Sequence, residues 1–264
     1  MNSLTGDLRE PDADEEVRQA KCQRRIKLTV EYDGTDFCGW QRQPNLRTVQ
    51  EDLEVALSKV LQEPVTVIGA GRTDSGVHAL AQVVHFDTGN PLACENLIKG
   101  ANSLLGRDVM ILDMEEAPPT FHARFSAVSR SYRYRLIRRD RPLLRRYAWH
   151  PGYKWNDELV EQTVGLIVSE HSFMSFSHAR PGETEYLCRV TEARWEADSD
   201  GSTFHITADR FMHKMVRGLV GALIDLGRGY YAMDGFRHLL EQPEKVGAVR
   251  TAPARGLVLV SVAY

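Results

Sequence analysis

The 264-residue chain has no apolar run approaching the ~20 residues that a membrane-spanning helix needs, and its first residues are acidic and polar where a secretory signal would be apolar. A cytoplasmic protein without a membrane segment is therefore expected. Cysteine is scarce. Cys22, Cys38, Cys94 and Cys188 are widely separated and form no C-x-x-C pair, so neither a zinc site nor a disulfide framework is predicted, and the four read as reduced thiols. Cofactor motifs are also missing: GAGRTD at 69–74 has neither the glycine spacing of a dinucleotide fingerprint nor the Gly-Lys-Ser/Thr of a phosphate loop. There is no HExxH and no His/Cys cluster. His78 and His85, on a loop and a strand, read as hydrogen-bonding or packing residues, so no cofactor and no metal are expected.

Net charge is small at −3, which by itself points away from a polyanionic partner. Its distribution points the other way. Residues 1–20 carry a net −4, while residues 124–146 hold nine arginines (124, 130, 133, 135, 138, 139, 141, 145 and 146) against Asp140, a local +8. Phe121, Phe125, Tyr132, Tyr134, Tyr147 and Trp149 lie in or beside that stretch. Arginines neutralise phosphates and interleaved aromatics stack on bases, so a polyanion-binding surface is predicted.

Hydrophobic periodicity divides the chain into two similar halves. RIKLTVEYDG alternates Ile26, Leu28, Val30 and Tyr32 with polar residues before an Asp-Gly turn, which predicts a half-buried strand. TVQEDLEVALSKVL places Val49, Leu53, Ala56, Leu57 and Val60 on one helical face, with Thr48 and Glu51 spaced as a capping box. Strands at 64–68 and 79–86, a helix at 92–105 and a strand at 108–117 complete a β-α-β-β-α-β order. The second half repeats it: a strand at 128–138, a helix near 156–168, strands near 188–198 and 203–210, a helix from about 212 to 226, and the terminal strand LVLVSVAY. The expected fold is α+β, two tandem ferredoxin-like units whose antiparallel sheets form a central cleft. A disordered acidic tail is expected over 1–24, one half over 25–120 and the other over 121–264.

The residues that carry chemistry are fewer. Asp74 lies two residues from Arg72 among Gly69, Gly71 and Gly76, which permit close backbone approach. A carboxylate beside a guanidinium is held in its charged form, as a nucleophile or base needs, but an Asp in a glycine-rich turn equally often bonds only its own backbone. Spacing leaves both readings open. In FMHKMVRGLVGALIDLG, Met215, Leu219 and Leu223 form a core stripe, and Arg217 is either a surface charge or an inward partner for a buried carboxylate. In SYRYRLI, Tyr132, Tyr134 and Leu136 share one strand face and Arg133 and Arg135 the other; Tyr132 is a candidate to stack on an extruded base.

Six segments in order, EYDGTDFCGWQRQ with RTVQEDLE, GAGRTDSGVHALAQVVHF, FHARFSAVSRSYRYRL, HSFMSF, FMHKMVRGLVGALIDLG and TAPARGLVLVSVAY, resemble the tRNA pseudouridine synthase A family over residues 25–264. The resemblance implies an enzyme that flips a uridine of the tRNA anticodon arm and isomerises it to pseudouridine without cofactor or metal. It implies that Asp74 is catalytic, that Arg72 helps flip the nucleotide, that Tyr132 stacks on the uracil, and that Arg217 pairs with Asp74. A homodimer with the tRNA across both subunits is implied as well. Ser75 and Ala81 depart from the family pattern, where Ala and Gly are common. Two other readings compete: a non-catalytic RNA-binding module, and a carboxylate-dependent glycosidase, for which Glu31, Asp33 and Asp36 are the nearest second acids.

Overall fold

A computed structural model describes residues 24–179, 185–243 and 246–264. The acidic tail predicted over 1–24 lies outside the described residues, apart from Arg24, which opens the first strand.

Strand β1 (Arg24–Tyr32) forms as its alternation predicts, with Ile26, Leu28, Val30 and Tyr32 buried and the residues between them half-buried or exposed. Helix α1 (Val49–Leu61) starts where the Thr48 hydroxyl accepts a hydrogen bond from the Glu51 amide at 3.4 Å, and buries Val49, Leu53, Ala56, Leu57 and Leu61. The strand predicted at 64–68 shrinks to β2 (Ile68–Gly69). Side chains of α1 take the backbone groups that a strand would have used: Ser58 Oγ accepts from Val65 N–H, Glu54 Oε1 accepts from Val67 N–H, and Gln50 Nε2 donates to the Val67 carbonyl. Strand β3 (His78–Thr88), helix α2 (Cys94–Leu104) and strand β4 (Val109–Ala117) complete the first half.

The second half runs β5 (Ser129–Ile137), α3 (Asp157–Val164), β6 (Ser169–Ser172), β7 (Leu187–Ala197), β8 (Gly201–Ala208), α4 (Met215–Gly227), α5 (Met233–Glu241) and β9 (Leu257–Ala263). The short elements β6 and α5 are additions to the sequence-based order. The class is α+β. Where separate antiparallel sheets were expected, the described strands form one mixed sheet, in the order β4-β1-β3-β9-β5-β8-β7-β6, with β2 on β3. Strand β9 makes the join: it runs antiparallel to β5 and parallel to β3, pairing His78 with Val258 and Ala79 with Leu259. The sequence of β9 requires such a position. Leu257, Val258 and Leu259 are consecutive and all buried, so both faces are covered and neither edge is left to water.

Two large apolar cores result, one under β1, α1 and α2 and one among β5, β7, β8, α3, α4 and α5, with a small third cluster of Ala70, Val83 and Ala123. Tyr132 packs against both large cores. It marks the seam where the loop between β2 and β3 meets the start of α4.

Candidate active site

The loop from Gly69 to Val77 is fixed by its backbone. Ala70 N–H donates to the Val83 carbonyl at 2.8 Å, Gln82 Nε2 donates to the Gly71 carbonyl at 2.9 Å, and Trp40 N–H donates to the Thr73 carbonyl at 3.1 Å. The Thr73 hydroxyl bonds the Tyr32 phenol at 2.8 Å. Residues 74–77 close a turn through Val77 N–H and the Asp74 carbonyl at 3.1 Å, with Gly76 at a φ of +78° in the third position, where a side chain would be strained. Gly71 faces open space, so the close approach expected there is absent; it occurs at Gly69, where a Cβ would sit 2.7 Å from the Trp40 ring, and also at Gly39, where one would sit 2.9 Å from the Thr73 carbonyl oxygen. Asp74 is thus a turn residue through its backbone, while its carboxylate is turned to a different partner.

That partner comes from α4. Lys214, the N-cap, holds a left-handed conformation (φ 60°, ψ 8°), and the helix it starts places Arg217 Nη1 2.7 Å from Asp74 Oδ2. Arg217 Nε donates to the Ala252 carbonyl at 2.8 Å, so the guanidinium is anchored on two sides. His213 Nε2 lies 3.6 Å from the other oxygen, Asp74 Oδ1. Side-chain exposures of 14% for Arg217 and 20% for Asp74 make this a mostly desolvated pair with one open side. Nearby, burial, then Lys214 and Arg217, lower the pKa of His178, which therefore adds no charge at neutral pH.

Tyr132 stands edge-on to Phe211, with ring centroids 5.1 Å apart and planes at 86°. Burial raises its phenol above the ordinary range, and Tyr32 and the Asp74 charge add to the shift, so it stays neutral. Arg72 is exposed and pairs with no carboxylate among the described residues. Asp74, Arg72 and Tyr132 line one cleft of about 750 Å³. Arg124, Arg130, Arg210 and Lys214 line it too, and Asp74 is its only carboxylate among the described residues. The structure therefore brings all four sequence-selected residues together, with Arg217 behind Asp74. Sequence reasoning missed His213, Lys214 and Arg210, although the first two flank Arg217 in the same segment and fall within one helical turn of it.

Folding divides the arginine-rich segment that the sequence presents as one polyanion-binding surface. It is not one free patch. Arg135 pairs with Asp198 at 2.6 Å, Arg141 with Asp200 at 2.6 Å, Arg146 with Asp36 at 3.4 Å, and Arg138 with Asp157. Arg130 donates to the carbonyls of Ala70, Arg124, Ala127 and Asp209, tying the loop that carries Asp74 to both flanking segments. Arg133 and Arg135 line a second cavity, of about 710 Å³, with Glu31, Asp33 and His205. Strand alternation puts it on the face opposite Tyr132. Cationic side chains from four separate segments line the Asp74 cleft.

His78 and His85 are both hydrogen-bonding residues. His78 Nδ1 accepts from the Gly34 amide and His85 Nδ1 from the Ala123 amide, each at 3.1 Å. Among the described residues no group of three or more His, Cys, Asp or Glu side chains is placed to hold a metal ion, and no helix is long and apolar enough to cross a membrane.

The sequence pattern of the tRNA pseudouridine synthase family matches residues 28–126 and 166–264, which include both sides of this cleft. The chain is 42% identical over 246 residues to tRNA pseudouridine synthase A of Chlorobaculum tepidum, covering 93% of this chain and 100% of that protein. It is 37% identical over 241 residues to the protein of that name from Exiguobacterium, covering 91% of this chain and 98% of that one. With Bacillus pumilus tRNA pseudouridine synthase A it shares 37% identity over 244 residues, 91% of this chain and 99% of the other. Matched along both halves and across the seam that holds Asp74 and Arg217, the chain belongs to the tRNA pseudouridine synthase family.

Proposed function

We propose that this protein isomerises uridine to pseudouridine in the anticodon stem-loop of tRNA, with Asp74 as the catalytic carboxylate. One observation carries the reading: among the described residues a single carboxylate, held at one oxygen by Arg217, opens into a cleft whose other charged lining groups, Arg72, Arg124, Arg130, Arg210 and Lys214, are all cations. Such a site attracts a polyanion and presents it with one reactive group. In the reaction the N1–C1′ bond breaks, the uracil turns, C5 bonds to C1′, the C5 proton is lost and N1 gains one. Electrons balance without a redox partner.

Each residue has a role that follows from its position. Arg217 occupies Asp74 Oδ2, and Oδ1, with His213 Nε2 3.6 Å away, is the oxygen that acts on the nucleotide. Tyr132, neutral and wedged between the two cores, offers its ring to the extruded uracil; stacking of ~1–3 kcal/mol offsets part of a flip that costs a few kcal/mol. Arg72, exposed at the rim, fills the gap left in the stack. The test is tritium release from tRNA carrying tritium at C5 of uridine. Release by the parent and none by Asp74→Asn is expected; no release by the parent, or equal release by both, overturns the proposal.

The strand orders β4-β1-β3-β2 and β9-β5-β8-β7 support reading the two halves, 25–120 and 121–264, as ferredoxin-like units fused edge to edge. A homodimer in the cytoplasm, with tRNA spanning both subunits, belongs to the same reading. Sedimentation with and without tRNA tests the assembly.

A further inference from the structure

Phe125 is a large aromatic left 76% exposed, and it lines the rim of the Asp74 cleft beside Arg124. Exposure of this kind usually goes with a mobile loop, yet here almost every nearby polar group is bonded. His122 Nδ1 accepts from the Arg124 and Phe125 amides, each at 3.2 Å. His122 N–H donates to Ser126 Oγ at 2.9 Å, and Ser126 N–H returns a bond to the His122 carbonyl at 2.9 Å. Ala123 is held by His85 through its amide and by the Tyr264 phenol through its carbonyl, at 3.1 and 2.7 Å. Arg130 donates to the Arg124 carbonyl at 2.6 Å. One face of the Phe125 ring rests on the His122 imidazole, centroids 4.4 Å apart and planes within 29°. The Arg124 guanidinium carbon lies 5.4 Å from the ring centroid, so a largely exposed ring, backed by His122 and flanked by a cation, is built to receive a flat group next to a phosphate.

We propose that Phe125 is a second stacking platform, taking an unpaired base that flanks the target nucleotide while Tyr132 receives the target itself. The proposal rests on the tRNA reading above. Charge favours a nucleic-acid base over a protein surface as the occupant: Arg72, Arg124 and Lys214 line the same cleft and suit the phosphates on either side of that base.

The experiment is a binding cycle with a synthetic anticodon stem-loop RNA, in which each nucleotide flanking the target uridine is made abasic in turn. Phe125→Ala is expected to raise Kd about tenfold, within the range for losing one stacked base, and Phe125→Trp to restore it. At one flanking position the abasic RNA costs the parent a similar factor and costs Phe125→Ala nothing further. Parental binding by Phe125→Ala, or equal abasic costs in both proteins at every position, overturns the proposal. So does a Phe125→Ala protein that sediments differently without RNA and binds RNA normally, because the ring then covers a second copy of the chain. A parent that shows the coupling but releases no tritium overturns the proposed function and leaves the platform standing.

Discussion

Arg217 touches Asp74 from behind the cleft, so its replacement separates catalysis from binding. Lysine keeps the charge but cannot hold the Asp74 carboxylate and the Ala252 carbonyl with one planar fork. A displaced carboxylate costs about 10²-fold per ångström, so Arg217→Lys is expected to lower kcat by about that factor while tRNA Kd, set by the cleft-lining cations, changes little. Parallel measurement of tritium release and filter binding checks this; equal losses in both would contradict it. His85 supplies a prediction of another kind. Burial, then His122 and Arg25, push its imidazole down from 6.5 to about 4. The unfolded chain takes up a proton near pH 6.5 that the folded chain refuses until about pH 4, so this contribution to stability is fully present above 6.5 and is lost as pH falls toward 4. Denaturant midpoints measured across that window should fall with pH, and His85→Asn, which keeps an acceptor for the Ala123 amide, should flatten the slope.

Helix α4 shows what an element contributes beyond its residues. A Cβ at Gly218 would lie 2.0 Å from the Phe176 carbonyl oxygen, and one at Gly221 1.8 Å from that of Arg250. Only glycine lets the helix settle against both segments, and that depth is what brings Arg217 to Asp74. Gly218→Ala is therefore expected to destabilise the fold by roughly 1–3 kcal/mol and to reduce turnover further than the stability loss explains. Gly165, with a helical φ of −58° and open space around its Cβ, is the control: Gly165→Ala should stabilise by about 0.4–1 kcal/mol and leave tritium release unchanged. Thermal unfolding and turnover of the two variants decide the matter. Elements with a one-sided apolar pattern, such as β1 and α1, were legible in the sequence because packing and periodicity agree there. Strand β2 was misjudged because its length was set by Ser58, Glu54 and Gln50 reaching across from α1, and α5 was missed because only Phe236 and Leu240 of its nine residues are buried. Within the site, Asp74 and Arg217 could be picked out singly, but they are 143 residues apart and no spacing joins them. The pair entered through the family resemblance, and His213 entered only with the fold.

For the whole molecule, the distribution of charge decides how RNA binding responds to salt. The +8 segment read as one surface, yet folding divides it between ion pairs, backbone ties and two opposite faces of the sheet. The cations of the Asp74 cleft are assembled from distant segments: Arg72 after β2, Arg124 before β5, Arg210 and Lys214 ahead of α4. Removing one cation that neutralises a phosphate should reduce the slope of log Kd against log salt by about one. Arg72→Gln, Arg124→Gln and Lys214→Gln are thus expected to lower that slope by about one apiece. Arg135→Gln, which sits in the same arginine-rich stretch but faces away and is paired with Asp198, should leave the slope unchanged and show its effect, if any, in stability. Salt titrations of the four variants distinguish a binding surface that follows the fold from one that follows the sequence: an Arg135→Gln slope as shallow as that of Arg72→Gln would place the RNA on the other face of the sheet, away from Asp74.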